Sequence, residues 1–271
     1  MDQIFETGKN GVKINMATPI TESKIYTAVG LDFETGSLEC TTGACTQLAM
    51  QAIRLDTFDV LDRYVKYITP YEKQDIGGSA KRKVLKNKHE ILQDRQSMLY
   101  EPAALDYSGI TMDMLVSMGV DYKEVAQSII DFAKRNTLSK GHQVKPVLIG
   151  QNITFDIGFL QQLMNYSGLV KEFEKVFSGS KDFYGNFQPH YIDTIDLARL
   201  VFANNSLMSS YKLEIICERL GIELDDAHDA DADVTASLNI VRVCSSRLRN
   251  QTDGAEIRIL KNEKSRKHFK I

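Results

Sequence analysis

The chain has 271 residues, 43% hydrophobic and 25% charged, proportions that fit a globular protein and exclude a disordered or fibrous one. That length can bury a sizeable core, as one large domain or two small ones. A formal net charge of −3 excludes a global electrostatic pull toward nucleic acid, so such a partner would have to meet local patches.

Residues 1–23 are polar and without clear period, and read as a flexible arm lacking an apolar core of signal-peptide length. From Lys24, KIYTAVGLDFE predicts a central strand ending in an acidic pair. CTQLAMQAIRL and FDVLDRYVKYITP predict two more strands, and the short DTFD link favours antiparallel pairing. Residues 71–105 are polar and basic, with a helical-looking KRKVLKNKHEILQDRQSML, and read as an excursion from the core. A helix is expected over 122–136, where Val125, Ile129, Ile130, Phe132 and Ala133 fall at helical spacing. VKPVLIG predicts a buried strand at about 144–150, followed by a helix through FDIGFLQQLMNY. Residues 166–190 form a second excursion, with SGSKDFYGNFQ read as mobile. HYIDTIDLARLVF predicts strand then helix, SYKLEIICERLG a helix closed by Gly221, and DADVTASLNIVRVCSSRL the last long helix.

This order predicts an α/β fold: a mixed central sheet, three antiparallel strands then alternating helix and strand, flanked by helices. One domain is expected over 24–250, with a basic tail over 251–271. Lys81, Arg82, Lys83, Lys86 and Lys88 form one basic patch, and Arg258, Lys261, Lys264, Arg266, Lys267 and Lys270 another; a solvated surface explains either equally well. Cys40, Cys45, Cys217 and Cys244 lack a CxxC pair and a completing His, which argues for reduced thiols rather than a zinc site. No apolar stretch approaches the roughly 18 residues of a membrane span. A cytoplasmic protein without membrane contact is expected.

Chemistry concentrates in three short segments. Asp32 and Glu34 stand two apart on a strand, so both point to one face at its C-terminal end, where ligands bind in α/β sheets. Two such acids side by side are costly when buried, yet a DxE at an open edge needs no metal. Asp156 follows Gly-Gln-Asn at the start of a helix, where an ordinary first-turn acid is also favoured by the helix dipole. Asn152 stands where the strand ends, placed to steer Asp156 or a substrate; Phe155 suits either the core or a base-stacking platform. In AHDADADV, Asp229 or Asp231 suits a helix N-cap, whereas Asp233 lies inside the helix with no structural motive for facing inward. His228 in the preceding loop is either a surface residue or one that overhangs a metal site.

Taken together, the order DxE, N-x3-D and H-x4-D supplies what two-metal hydrolysis needs: bridging and outer carboxylates and a base that titrates near neutrality. The three segments resemble the exonuclease motifs of the DEDDh family of 3′→5′ exonucleases. That family includes the proofreading epsilon subunit of bacterial replicative polymerase, ribonuclease T and oligoribonuclease. Weaker likeness extends through ITP, GIT, DTIDLARL and YKLEIICERLGI, so that residues 24–248 are covered. A sister branch carries tyrosine four positions before the last acid; Asp229 stands there, which indicates the histidine branch.

The resemblance implies a ribonuclease-H-like fold and two divalent cations, Mg2+ or Mn2+. Asp32, Glu34 and Asp233 would hold the first, with Asp32 bridging to a second supported by Asp156. His228 would take a proton from the attacking water. Phe33, Thr35 and Gly36 would line the pocket for the last nucleotide, with Asn152 orienting the site. Gln151 stands where several relatives carry His. The implied activity is release of nucleoside monophosphates from 3′ ends, with single-stranded DNA favoured, in proofreading or repair, and a DNA polymerase as a candidate partner. An exoribonuclease acting on short RNA or RNA 3′ ends is the alternative, because the sequence does not disclose contacts to a 2′-hydroxyl. An inert nucleic-acid-binding or polymerase-accessory module would be expected to lack a metal ligand, and all five key positions are filled. Monomer and homodimer are both compatible with the sequence.

Overall fold

The computed structural model describes residues 24–74, 97–141, 144–204, 206, 208–224 and 229–250. Both basic patches, the two chain ends and most of KRKVLKNKHEILQDRQSML lie outside the described residues. β1 (Thr27–Thr35), β2 (Cys45–Arg54) and β3 (Val60–Tyr67) are antiparallel neighbours, as their short connections require. β4 (Val147–Gly150) joins β1 in parallel. β5 (Gly179–Lys181) and β6 (Phe187–Pro189) pair apart as a hairpin, and β7 (Tyr191–Asp193) lies parallel to β4. The main sheet therefore has the order β3-β2-β1-β4-β7, the mixed sheet that the sequence predicts.

Eight described helices flank it. α1 (Pro102–Ser108), α2 (Met112–Met118) and α3 (Tyr122–Arg135) connect β3 to β4. α4 (Ile153–Ser167) and α5 (Val170–Val176) follow β4, and α6 (Thr194–Val201), α7 (Leu213–Leu220) and α8 (Ala230–Asn250) follow β7. None is long and apolar enough to cross a membrane.

The period-two alternation of β1 divides the molecule into layers. Val29, Leu31 and Phe33 enter the larger core with Ile129 and Phe132 of α3 and Phe159 and Leu160 of α4. Ala28 faces the other layer, against Val234, Leu238 and Val241 of α8. A Cβ at Gly30 would lie 3.0 Å from Val234 and Leu238 side-chain atoms, so the missing side chain lets α8 settle onto the strand that carries the acidic pair.

Two expectations are corrected. The 166–190 stretch is anchored where a mobile segment is expected: Phe173, Phe177 and Phe187 are buried in the larger core, and SGSKDFYGNFQ folds as the β5–β6 hairpin, apart from the main sheet and with Phe183 and Tyr184 exposed at its tip. Asp182 organises its turn, accepting from the Tyr184 and Asn186 backbone amides at 2.9 and 2.8 Å. The described ends of the 71–105 stretch also belong to the fold. Tyr71 and Met98 are buried, and Ser97 and Leu99 form extended bridges to Glu72 and Gly43 where a helix was expected.

Candidate active site

Asp32 and Glu34 lie on the α8 side of β1, and α8 brings Asp233 to them in its first turn. One ligand oxygen from each of these three partly buried residues falls within 4.8 Å of the others. The placement of α8 rests on two β2 glutamines that share this face. Gln51, opposite Gly30, donates to the Asp231 carboxylate at 2.8 Å and to the Thr235 hydroxyl at 2.6 Å. Gln47, opposite Glu34, donates to the Asp229 carboxylate at 3.4 Å. Arg63 of β3 adds a 3.7 Å ion pair to Asp231. Pattern reading treats polar strand residues as solvent-facing, and so misses these glutamines. Their period-two spacing in step with Asp32 and Glu34 is the signal that could have found them.

Asp156 reaches the same edge from α4. The β1–β4 ladder extends only to Gly30↔Ile149, and the Phe33 amide beyond it donates to Asp156 Oδ1 at 2.9 Å. Asp156 is 3% exposed and stands outside the close trio, though near enough to act on Asp32. Burial raises the Asp32 carboxyl well above the usual range, and Asp156, Glu34 and Asp233 add to the effect. Burial, with Asp233 and Asp229, pushes Glu34 up from 4.5 to about 7. Asp156 is also raised, by burial first and then by Glu34 and Asp193, against the lowering pull of the Phe33 amide. Each charged group that shifts Asp32 is itself a carboxylate. Such a convergence of hard oxygen donors suits a divalent cation of the Mg2+ or Mn2+ type, and the donor set fits the implied metal.

The surrounding loops are tightly tied. Gly36 donates to the Ala44 carbonyl and accepts from the Glu101 amide, at 2.8 and 2.7 Å. A Cβ there would strike the Leu99 carbonyl oxygen, which explains the glycine structurally. Thr35 donates to the Ser37 carbonyl at 3.0 Å. Asn152 occupies the left-handed region at φ 51°, a conformation asparagine tolerates better than most residues. Its backbone N–H donates to Asp193 Oδ1 at 3.2 Å, and Asp193 also caps α6 through the Ile195 backbone amide at 2.9 Å. Gln151 donates to the Tyr211 carbonyl at 2.7 Å and accepts from the Thr194 hydroxyl, so here it ties the start of α6 to the segment before α7. Phe155 is half-buried and packs on Phe159 with ring centroids 5.1 Å apart. His228 lies outside the described residues.

Sequence reasoning also missed Tyr107. On α1 and 64% exposed, it lies close enough to Glu214, Asp233 and Glu34 for them to reinforce the upward shift that desolvation gives its hydroxyl.

Comparison with known proteins agrees with this geometry. The family model RNase_T, described as exonuclease, matches residues 29–241. A curated relative, the PolC-type DNA polymerase III of Bacillus cereus, is 23% identical over 230 residues, which cover 83% of this chain and 12% of that protein. Among solved structures, E. coli exonuclease I in complex with a dT13 oligonucleotide has a TM-score of 0.57 at 20% identity, covering 84% of this chain and 43% of that one. The zinc-bound form of the E. coli exonuclease I–ssDNA complex has a TM-score of 0.56 at 21% identity, with 83% and 41% covered. The chain thus spans a small part of the polymerase and less than half of exonuclease I. By its matched span and its three motifs, the chain belongs to the RNase_T exonuclease family and carries that family's DEDDh pattern.

Proposed function

We propose that this chain is a two-metal 3′→5′ exonuclease releasing nucleoside monophosphates, with single-stranded DNA as its favoured substrate. The observation that carries this reading is the meeting of Asp32, Glu34 and Asp233 at the sheet edge where Asp156 begins α4. Asp32, Glu34 and Asp233 would hold one divalent cation, and Asp32 and Asp156 a second. When bound, the pair of cations lowers the pKa of a water and offsets charge on the leaving 3′-oxygen. His228, immediately before the segment that leads into α8, accepts the proton from the attacking water. Thr35 and Gly36 line the pocket of the last nucleotide beside the main chain of Phe33, whose ring is buried in the larger core, Asn152 orients the site, and the half-buried Phe155 ring offers a face to a base. The exonuclease domain spans residues 24–250.

DNA is favoured on two grounds. The similar exonuclease I chains are described with DNA oligonucleotides, and the curated relative is a DNA polymerase. The latter likeness also supports a polymerase as the partner class.

The test uses 5′-labelled single-stranded DNA, duplex DNA with a mismatched 3′ end, and short RNA, each with Mg2+ or EDTA. A laddered loss from the 3′ end that requires metal and is fastest on single-stranded DNA is expected. Preference for RNA would transfer the assignment to an exoribonuclease. His228→Ala should slow turnover by about 10²–10⁴-fold while calorimetric metal affinity is kept; an equal loss of metal affinity would remove His228 from the base role.

A further inference from the structure

Gly30, Gln51 and Arg63 stand opposite one another on β1, β2 and β3, and so form one row across the sheet on the side that α8 covers. The row meets the helix in three ways. Gly30 leaves the space that Val234 and Leu238 fill, Gln51 donates hydrogen bonds, and Arg63 brings a positive charge to Asp231. The next two rows on this face carry Asp32 opposite Ala49 and Glu34 opposite Gln47. The contacts that hold α8 thus lie beside the acids that its Asp233 completes.

Gln51 makes the shortest of these polar contacts. It is 1% exposed, and its side-chain nitrogen lies 2.8 Å from Asp231 Oδ1 and 2.6 Å from Thr235 Oγ1. Those acceptors are four residues apart on one face of α8, and the Thr235 hydroxyl itself donates to the Asp231 carbonyl at 2.8 Å. A single amide therefore holds two successive turns. Ala230, Val234, Leu238 and Val241 form the stripe that packs on the sheet, so helical spacing puts Asp231 and Asp233 on its opposite flanks. Turning the helix by about 10° would move a carboxylate about 5–6 Å from its axis by about 1 Å. A cation of the Mg2+ type holds its oxygens at about 2.0–2.1 Å in near-ideal geometry, so such a shift decides whether Asp233 joins Asp32 and Glu34.

The energetics fit a role in placement. A buried amide adds little net stability where an apolar side chain of the same shape would serve, yet it is costly when left unsatisfied. It therefore favours one arrangement of α8 over its neighbours, which an apolar seat alone does not do. We propose that Gln51 is a positioning residue for the cation site, fixing the turn of α8 that presents Asp233, with Asp231 as its anchor and not a ligand. This rests on the reading of Asp32, Glu34 and Asp233 as cation ligands.

Mn2+ alone is the probe, titrated into the 271-residue chain with the free ion counted by its paramagnetic resonance signal. Gln51→Met keeps the length, removes the donor, and should weaken Mn2+ binding about 10-fold. Asp231→Ala should weaken it similarly, and the double variant by far less than the product of the two losses, because both break one contact. Asp231→Asn keeps an acceptor for Gln51 and should bind Mn2+ nearly as wild type does, whereas Asp233→Asn should not. Asn136→Ala, which removes a buried amide from the other layer, controls for stability: Tm should fall while Mn2+ affinity stays. Unchanged Mn2+ affinity in Gln51→Met, an equal loss in Asn136→Ala, or fully additive losses at Gln51 and Asp231 would overturn the assignment. Hydrogen exchange in EDTA gives a metal-free readout: Gln51→Met should speed the amides of Asp233, Val234 and Thr235 and spare those of α3. Wild-type protein that binds no Mn2+ would count against the cation reading alone, and exchange left unchanged in Gln51→Met would still overturn the hold on α8.

Discussion

The Asp156 carboxylate accepts the Phe33 backbone amide at 2.9 Å, tying the first turn of α4 to the strand that holds Asp32 and Glu34. One side chain thereby satisfies a buried donor beyond the end of the β1–β4 ladder and adds negative charge to the site. These two contributions can be separated. Asp156→Asn keeps an acceptor and loses the charge, so it should melt no lower than wild type without metal yet degrade 3′ ends at least about 10²-fold more slowly. Asp156→Ala should lose activity and also about 1–3 kcal/mol of stability, through the orphaned amide. Thermal melts beside a degradation assay check both. Full activity in the asparagine variant would exclude Asp156 from the chemistry.

The acidic site should also write itself into stability. Glu34 is pushed up from 4.5 to about 7, and Asp32 and Asp156 move the same way. A carboxyl held above its unfolded value binds more protons when folded, so metal-free stability falls as pH rises between those limits. Carboxylates lowered by partners, such as Asp62 beside Arg135 and Asn136, act with opposite sign but at more acidic pH. In EDTA, Tm should therefore drop between pH 5 and pH 8. Mg2+ should restore it at pH 8 and matter little at pH 5, because a cation binds the deprotonated form. Calorimetric scans at both pH values would show it; a metal-free Tm that climbs throughout would contradict the placement of these acids.

Gly36 sets a steric limit beside the site. A methyl group there meets the Leu99 backbone, which cannot step aside as a flexible side-chain tip would. Gly36→Ala should cost about 1–3 kcal/mol and raise KM for oligonucleotides, since the displaced segment follows Thr35 directly. A variant with wild-type Tm and KM would show that the loop yields freely.

How far the sequence reveals this molecule depends on the range of the interaction that decides each part. β1 and its acidic pair are legible because period-two alternation is local, and α3 because Val125, Ile129 and Phe132 repeat at helical spacing. The 166–190 stretch misleads because three-residue strands are too short to show a period, and Gly, Ser and Asp mask Phe173, Phe177 and Phe187. Tyr71 and Met98 are lost among basic neighbours for the same reason. The Gln47 and Gln51 contacts to α8 are invisible because their partners lie about 180 positions away. Order and spacing named the trio's members, but the orientation that joins them comes from Gly30 and those glutamines.

The hollow over Gly30 has a consequence for timing. Asp32 and Glu34 belong to the first described strand, whereas Asp233 arrives on the last described helix. A nascent chain whose α8 has not yet docked holds two of the three clustered acids, and so lacks the closed donor set. Gly30, by admitting α8 onto β1, thus couples completion of that donor set to the docking of the helix.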